Sequence, residues 1–185
     1  MRKKGNDIMA IGVYVGSFDP FTNGHFEVLD QAIQIFDKVY IGIGINADKK
    51  PFLDEEIRTK MICNTIMRNY FKLCAEEPGK IVVKYYSGLT ASFLKEIQDA
   101  NQGQQVFLVR GLRNSVDYGY EENMASANEM IMNIKTIYLR AGRWGSVSSS
   151  LVRQLFSNGD LDMIENLVPI EVFLKLKDLY KIYHH

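Results

Sequence analysis

The sequence predicts an α/β protein built on a doubly wound, five-stranded parallel sheet, with a helical segment at its C-terminal end. Short apolar runs rich in β-branched and aromatic residues alternate with longer amphipathic stretches up to Arg140, the order expected when parallel strands are joined by crossover helices. After Arg140 the alternation stops, and helical patterns follow with no further strand. The length of 185 residues suits one domain with a sizeable core. The chain is therefore read as a single domain over 1–185, with its core at about 10–153 and a helical extension at about 154–185.

The strands are expected at 11–15, 38–45, 81–86, 106–110 and 136–139, and the helices between them at 24–36, 54–70, 90–100 and from about 115 to 132. Right-handed crossovers then put helices on both faces of the sheet. The closing helices are expected at 148–156, 161–167 and 169–183. Met124, Met130, Ile131, Met132 and Ile134 form a helix-spaced apolar set, which reads as core or subunit contact rather than a cofactor box. No internal repeat or low-complexity segment is evident.

The 46% hydrophobic and 24% charged fractions are ordinary for a soluble domain. Basic and acidic residues number 22 each, so the chain is neither a general polyanion binder nor a membrane-surface binder, and nucleic acid is not an expected partner. Any basic site must be local. Cys63 and Cys74 are too far apart for a CxxC pair and lack zinc-ligand spacing, which reads as two reduced thiols in a cytoplasmic protein. The basic start Met1-Arg2-Lys3-Lys4 precedes an apolar run too short and glycine-rich for a signal peptide, and no run approaches the length of a membrane span. His184 and His185 have no third ligand nearby in sequence and read as a tail, not a metal site.

In an open parallel sheet, ligands bind beyond the carboxyl ends of the strands, where the strand order reverses. The first loop there is Gly16-Ser17-Phe18-Asp19-Pro20-Phe21-Thr22-Asn23-Gly24-His25. A helix that starts just after a strand offers unpaired N–H groups and the positive end of its dipole, which together favour an anion. Gly16 allows close backbone approach, Pro20 and Asn23-Gly24 enforce the turn, and Ser17 and Thr22 add hydroxyls. His25 falls at the helix start, where the dipole disfavours imidazolium. Taken alone, the stretch reads equally as a helix-capping loop with a surface histidine.

Three other loops at that edge are also polar or cationic: Asn46-Ala47-Asp48-Lys49-Lys50-Pro51, then Val109-Arg110-Gly111-Leu112-Arg113-Asn114 leading to Asp117-Tyr118-Gly119-Tyr120-Glu121, and Val147-Ser148-Ser149-Ser150-Leu151-Val152-Arg153. Each by itself is an ordinary solvated or capping feature. Four together at one sheet edge point to phosphate binding. Trp144, between Gly142 and Gly145, either lines a nucleotide pocket or anchors a loop.

These motifs, in this order, resemble those of the bacterial phosphopantetheine adenylyltransferases of the nucleotidyltransferase superfamily. GSFDPFTNGH resembles the family's first motif, whose TxGH is a variant of the superfamily's HxGH; VSSSLVR resembles its ISSS/T-x-x-R; and VRGLR followed by DYGYE is similar to the segment that separates this family from other adenylyl- and cytidylyltransferases. The resemblance runs from about Val13 to Arg153. Departures are Ser17 in place of the usual threonine, Ala47-Asp48 in place of Pro-Ser before Lys49, a longer stretch at 72–80, and longer ends. Asp48 bears on the local charge of the pocket, not on the reaction class.

The resemblance implies a Rossmann-like nucleotidyltransferase fold and transfer of AMP from ATP to 4′-phosphopantetheine, giving dephospho-coenzyme A and pyrophosphate. An attacking phosphate needs neither a covalent nucleophile nor a strong base, so the work is alignment of two polyanions and stabilisation of charge on the α-phosphoryl oxygens and leaving group. The resemblance makes His25, Lys49 and Arg113 the catalytic set. His25 would hydrogen-bond the α-phosphate, Lys49 would hold the incoming phosphate, and Arg113 would face the β- and γ-phosphates with Ser148, Ser149 and Ser150. It adds Ser17, Phe18, Arg110, Gly111, Tyr120, Glu121, Trp144 and Val147 to the ATP site. To the acceptor it assigns Ser17, Lys49, Leu89, Thr90, Arg110 and Asn128.

Mg²⁺ is implied as cofactor, held largely by nucleotide oxygens and water because no carboxylate cluster is visible. A cytoplasmic homohexamer and coenzyme A as feedback ligand are implied too. A nicotinamide mononucleotide adenylyltransferase or a cytidylyltransferase would share the first and last motifs, and VRGLR with DYGYE stands against both. A purely regulatory nucleotide binder would have no need of groups aimed at an in-line transition state.

Overall fold

In the computed structural model, which describes residues 8–45, 50–112, 122, 125–126 and 129–183, five strands form one parallel sheet in the order β3-β2-β1-β4-β5. The strands are β1 Ala10–Gly16, β2 Lys38–Ile45, β3 Ile81–Ser87, β4 Gln105–Leu112 and β5 Lys135–Arg140. The helices are α1 Asn23–Ile35, α2 Glu55–Glu76, α3 Thr90–Ala100, α4 Ser149–Asn158, α5 Leu161–Ile164 and α6 Ile170–Tyr183, with a 3₁₀ turn at Gly142–Trp144. The chain winds outward from β1 to β3, then returns to place β4 on the other side of β1. The strand order therefore reverses between β1 and β4, as expected for a doubly wound sheet.

Alternation along β1 divides the core into two layers. Ile11, Val13 and Val15 face the layer built with Phe93, Leu94 and Ile97 of α3. Tyr14 faces the other, with Leu29 and Ala32 of α1 and Ile62 and Ile66 of α2. Because both faces are covered, the strands read as nearly continuous apolar runs. Val172, Phe173, Leu176 and Leu179 of α6 are buried in that second layer. The C-terminal helices thus complete the same core, and the Arg68 Nε to Glu171 Oε1 pair at 3.3 Å links α2 to α6.

The structure lengthens one expected helix and shortens another. Helix α2 continues past residue 70 to Glu76, absorbing much of the 72–80 stretch, with a break at Tyr70 (φ −126°, ψ 26°). Nothing in the sequence stops it before Pro78-Gly79. The helix expected at 161–167 ends at Ile164, ahead of Pro169. Most of the helix expected from about 115 to 132 lies outside the described residues, though 129–132 are helical. Of its apolar set, Ile134 is buried and Met132 packs against the first layer, whereas Met130 and Ile131 are exposed; Met124 lies outside the described residues.

Candidate active site

A cavity of about 360 Å³ opens where β1 and β4 part. Its wall runs from Tyr14 to Phe18 at the end of β1, through Thr22, Gly24 and His25 at the start of α1, to Arg110 and Gly111 of β4 and to Val147–Ser150 with Arg153 at the start of α4. Two helix N-termini therefore face one space, and each brings the positive end of its dipole. This is the switch-point site that the strand pattern predicts.

The first loop is held by its aromatic rings. Phe18 is buried with φ 48°, a backbone region that bulky L-residues rarely adopt. Its ring packs edge-on against Tyr14 at 5.1 Å and His25 at 5.1 Å, and against Phe21 at 5.6 Å. Phe18 lines the cavity while fixing the histidine ring.

Thr22 is the N-cap of α1. Its hydroxyl accepts from His25 N at 3.4 Å and lies 3.1 Å from His25 Nδ1, while Thr22 N donates to that same Nδ1 at 3.0 Å. The threonine hydroxyl, expected as a phosphate-facing donor, instead closes the helix start. A backbone N–H always carries its proton, so Nδ1 must accept, and the neutral ring carries its proton on Nε2. The capping and phosphate-binding readings of this loop are compatible, since one ring nitrogen serves the cap and the other carries the ring proton.

The loop and α4 are tied side chain to backbone. Ser149 Oγ donates to Pro20 O at 2.8 Å, Arg153 Nη1 to Asp19 O at 2.6 Å, and Arg153 Nη2 to Ser150 Oγ at 3.0 Å. Ser148 Oγ caps α4 by accepting from Leu151 N at 3.1 Å. Gly24 lies close under the segment that crosses it: a Cβ there would meet Trp144 O at 3.2 Å and Val147 O at 3.5 Å. Trp144 does not line the cavity; Arg143 lies over its ring at 4.7 Å.

A second cavity lies between the ends of β1, β2 and β3, lined by Ser17, Gly44, Ile45, Tyr86, Leu89, Thr90 and Arg110 among others. Thr90 Oγ1 and Tyr86 OH are 2.9 Å apart, and Tyr86 stacks on Phe93 with ring centres 4.4 Å apart. Leu89 is exposed at its rim. Ser17 and Arg110, with Val15 and Gly16, border both cavities.

Lys49, Arg113, Tyr120, Glu121 and Asn128 lie outside the described residues, as does Asp48. Lys49 follows β2 and Arg113 directly follows β4 in the chain.

Two residues that sequence reasoning missed organise the edge. Asp19 is buried and accepts from Phe52 N at 2.8 Å and Leu53 N at 2.9 Å, anchoring the loop before α2. Its position in a turn-forming Asp-Pro hid that role. Arg58 of α2 is buried and donates through Nη1 to Ser17 O at 2.7 Å and Gly44 O at 3.2 Å. In a stretch such as Glu55-Glu56-Ile57-Arg58, a lone arginine reads as solvated helix surface.

Comparison with known proteins agrees with this geometry. Residues 13–155 match the cytidylyltransferase-like family. Phosphopantetheine adenylyltransferases from Streptococcus pyogenes serotype M2 and serotype M5 strains are each 35% identical over 171 residues, spanning 91% of this chain and 95% of theirs. Among solved structures, a Plasmodium falciparum nicotinic acid mononucleotide adenylyltransferase complexed with NaAD matches with a TM-score of 0.67 at 18% identity, over 94% of this chain and 98% of that one. A bifunctional NMN adenylyltransferase/ADP ribose pyrophosphatase from Francisella tularensis gives a TM-score of 0.66 at 18% identity, over 94% of this chain and 52% of that one. At such identities the solved structures speak to the fold alone.

Proposed function

The chain belongs to the phosphopantetheine adenylyltransferase family, and on that premise we propose a division of labour among its side chains. The reaction is transfer of AMP from ATP to 4′-phosphopantetheine, yielding dephospho-coenzyme A and pyrophosphate. ATP occupies the β1/β4 cavity, its triphosphate facing the starts of α1 and α4. The acceptor enters from the cavity beside Leu89 and Thr90 and presents its phosphate at the seam, near Ser17 and Arg110. The observation that supports this most directly is that seam: Ser17 and Arg110 are the polar side chains that border both cavities, beside Val15 and Gly16.

An in-line attack then needs charge stabilisation more than proton chemistry. His25 donates Nε2–H to the α-phosphoryl oxygens, where charge develops, with Nδ1 held by the Thr22 amide. Lys49 bridges the incoming phosphate and the transferring group. The leaving pyrophosphate rests against Arg113 and Ser148–Ser150. Tyr120, Glu121 and Gly111 belong to the nucleotide side, and Asn128 to the acceptor side.

Mg²⁺ offsets the charge of the triphosphate when bound. Among the described residues no three His, Cys, Asp or Glu side chains gather to hold a metal, and Asp19 already has both oxygens on backbone N–H groups. The described side chains do not fit a dedicated cage; nucleotide oxygens and water would hold the ion.

We place the enzyme in the cytoplasm as a homohexamer, with the exposed Met130 and Ile131 as contact residues and coenzyme A competing at the acceptor cavity. Among the described residues no helix is long and apolar enough to cross a membrane. Pyrophosphate release from ATP, measured with phosphopantetheine, nicotinamide mononucleotide and glycerol phosphate as acceptors, tests the reading. Release with phosphopantetheine alone is the expected result. Release only with another acceptor would overturn it, and sedimentation of the pure protein decides the hexamer.

A further inference from the structure

We infer that Arg58 is a positioning residue for the acceptor phosphate, acting through the backbone where β1 and β2 end. The inference rests on the reading above, in which that phosphate sits at Ser17. Arg58 lies in the first turn of α2, and its side chain runs to the carboxyl edge of the sheet with only 3% of its surface exposed. The β1–β2 ladder ends at the pair Gly16 and Ile43. Ser17 and Gly44 are the next residues on each strand, and their carbonyls are the two that Arg58 Nη1 bonds, at 2.7 and 3.2 Å. One guanidinium nitrogen thus replaces the next rung of the sheet. It sets the gap between two strand ends that border the acceptor cavity.

The electrostatics point the same way. Arg58 Nε is buried with no hydrogen-bond partner, and no carboxylate among the described residues pairs with the guanidinium. A buried cation lacking a counter-charge is unfavourable, and two carbonyl contacts offset only part of that. A dianionic phosphate bound at Ser17 would bring a negative charge close by. Lysine should substitute poorly, because its ammonium ends one bond short of the reach of Nη1 and is more strongly hydrated, hence costlier to bury.

The test is steady-state pyrophosphate release by the full-length enzyme and by Arg58→Lys and Arg58→Gln, with melting temperatures alongside. Expected for both variants is a KM for phosphopantetheine raised about tenfold or more, with the KM for ATP within about twofold of the parent and Arg58→Lys failing to rescue. A lower melting temperature with both KM values and turnover unchanged would reduce Arg58 to a structural clamp and overturn the proposal. Should neither variant fold, the parent decides. Its Arg58 Nε–H resonance should shift on saturation with phosphopantetheine and far less with ATP, and an unmoved resonance would overturn the proposal equally. If the parent shows no release with phosphopantetheine at all, the acceptor assignment fails, which is a separate outcome.

Discussion

The backbone N–H of Thr22 donates to Nδ1 of His25 at 3.0 Å, three residues along the chain. That contact selects one tautomer, with the ring proton on Nε2, and it is lost if the ring becomes imidazolium. The neutral ring should therefore show the ¹⁵N shifts of the Nε2–H tautomer. Removing the donor in His25→Ala should lower turnover by about 10²-fold or more, with a smaller effect on the KM for ATP. It also uncaps Thr22 N–H, so a stability loss of about 1 kcal/mol should accompany it. Equal turnover in variant and parent would remove His25 from the chemistry.

Gly24 sits beneath the segment that joins β5 to α4. In an exposed helix, Gly→Ala stabilises by about 0.5–1 kcal/mol. Here the new Cβ would press on Trp144 O at 3.2 Å, and that oxygen is fixed by Val147 N at 2.9 Å. Gly24→Ala should therefore destabilise, by about 1–2 kcal/mol, and raise the KM for ATP as Val147 and Ser148 are displaced. Chemical denaturation and ATP titration read the two effects.

The strands and the switch-point site are legible in the sequence because the physics behind them is local. The apolar run along 11–15, the glycine turn and the serine-capped start of α4 all act over a few residues, and together they place the site. What is not legible depends on partners distant in the chain. Asp19 reads as turn chemistry because its acceptor role needs the amides of Phe52 and Leu53, which only the fold brings near. Arg58 reads as helix surface because burial of a charge is invisible without the strand ends it bridges. The course of α2 past residue 70 is not legible either, because its backbone breaks at Tyr70, whose hydroxyl bonds Asp30 on α1, and then continues to Glu76.

Asp19 offers a clean isosteric test. In Asp19→Asn one side-chain oxygen becomes an NH₂ group that faces a backbone donor, either Phe52 N or Leu53 N. Leaving a buried N–H without its acceptor costs about 1–3 kcal/mol. The variant should lose about 2 kcal/mol in urea denaturation, and the loosened loop that carries Lys50 should raise the KM for the acceptor more than that for ATP. A variant with parental stability would show that the two amides find other acceptors.

Tyr70 gives a prediction with a pH signature. Its hydroxyl donates to Asp30 Oδ1 at 2.5 Å, and burial, reinforced by that carboxylate, holds the phenol well above its ordinary value. A group whose folded value is raised contributes stability that is complete below the unfolded value and is lost as pH rises past it. At pH 8 Tyr70→Phe should be less stable than the parent by about 1 kcal/mol, the worth of one hydrogen bond. Above pH 10 the phenol ionises in the unfolded parent but not in the folded one, which favours unfolding of the parent alone. By pH 11 this amounts to at most about 1.4 kcal/mol, and solvent screening at a half-buried ring reduces it to roughly 1 kcal/mol. The gap between the two proteins should therefore close near pH 11, and the comparison cancels every other titration the two share. Paired denaturation curves at pH 8 and pH 11 decide it: a gap that stays constant would mean that the phenol ionises as readily folded as unfolded.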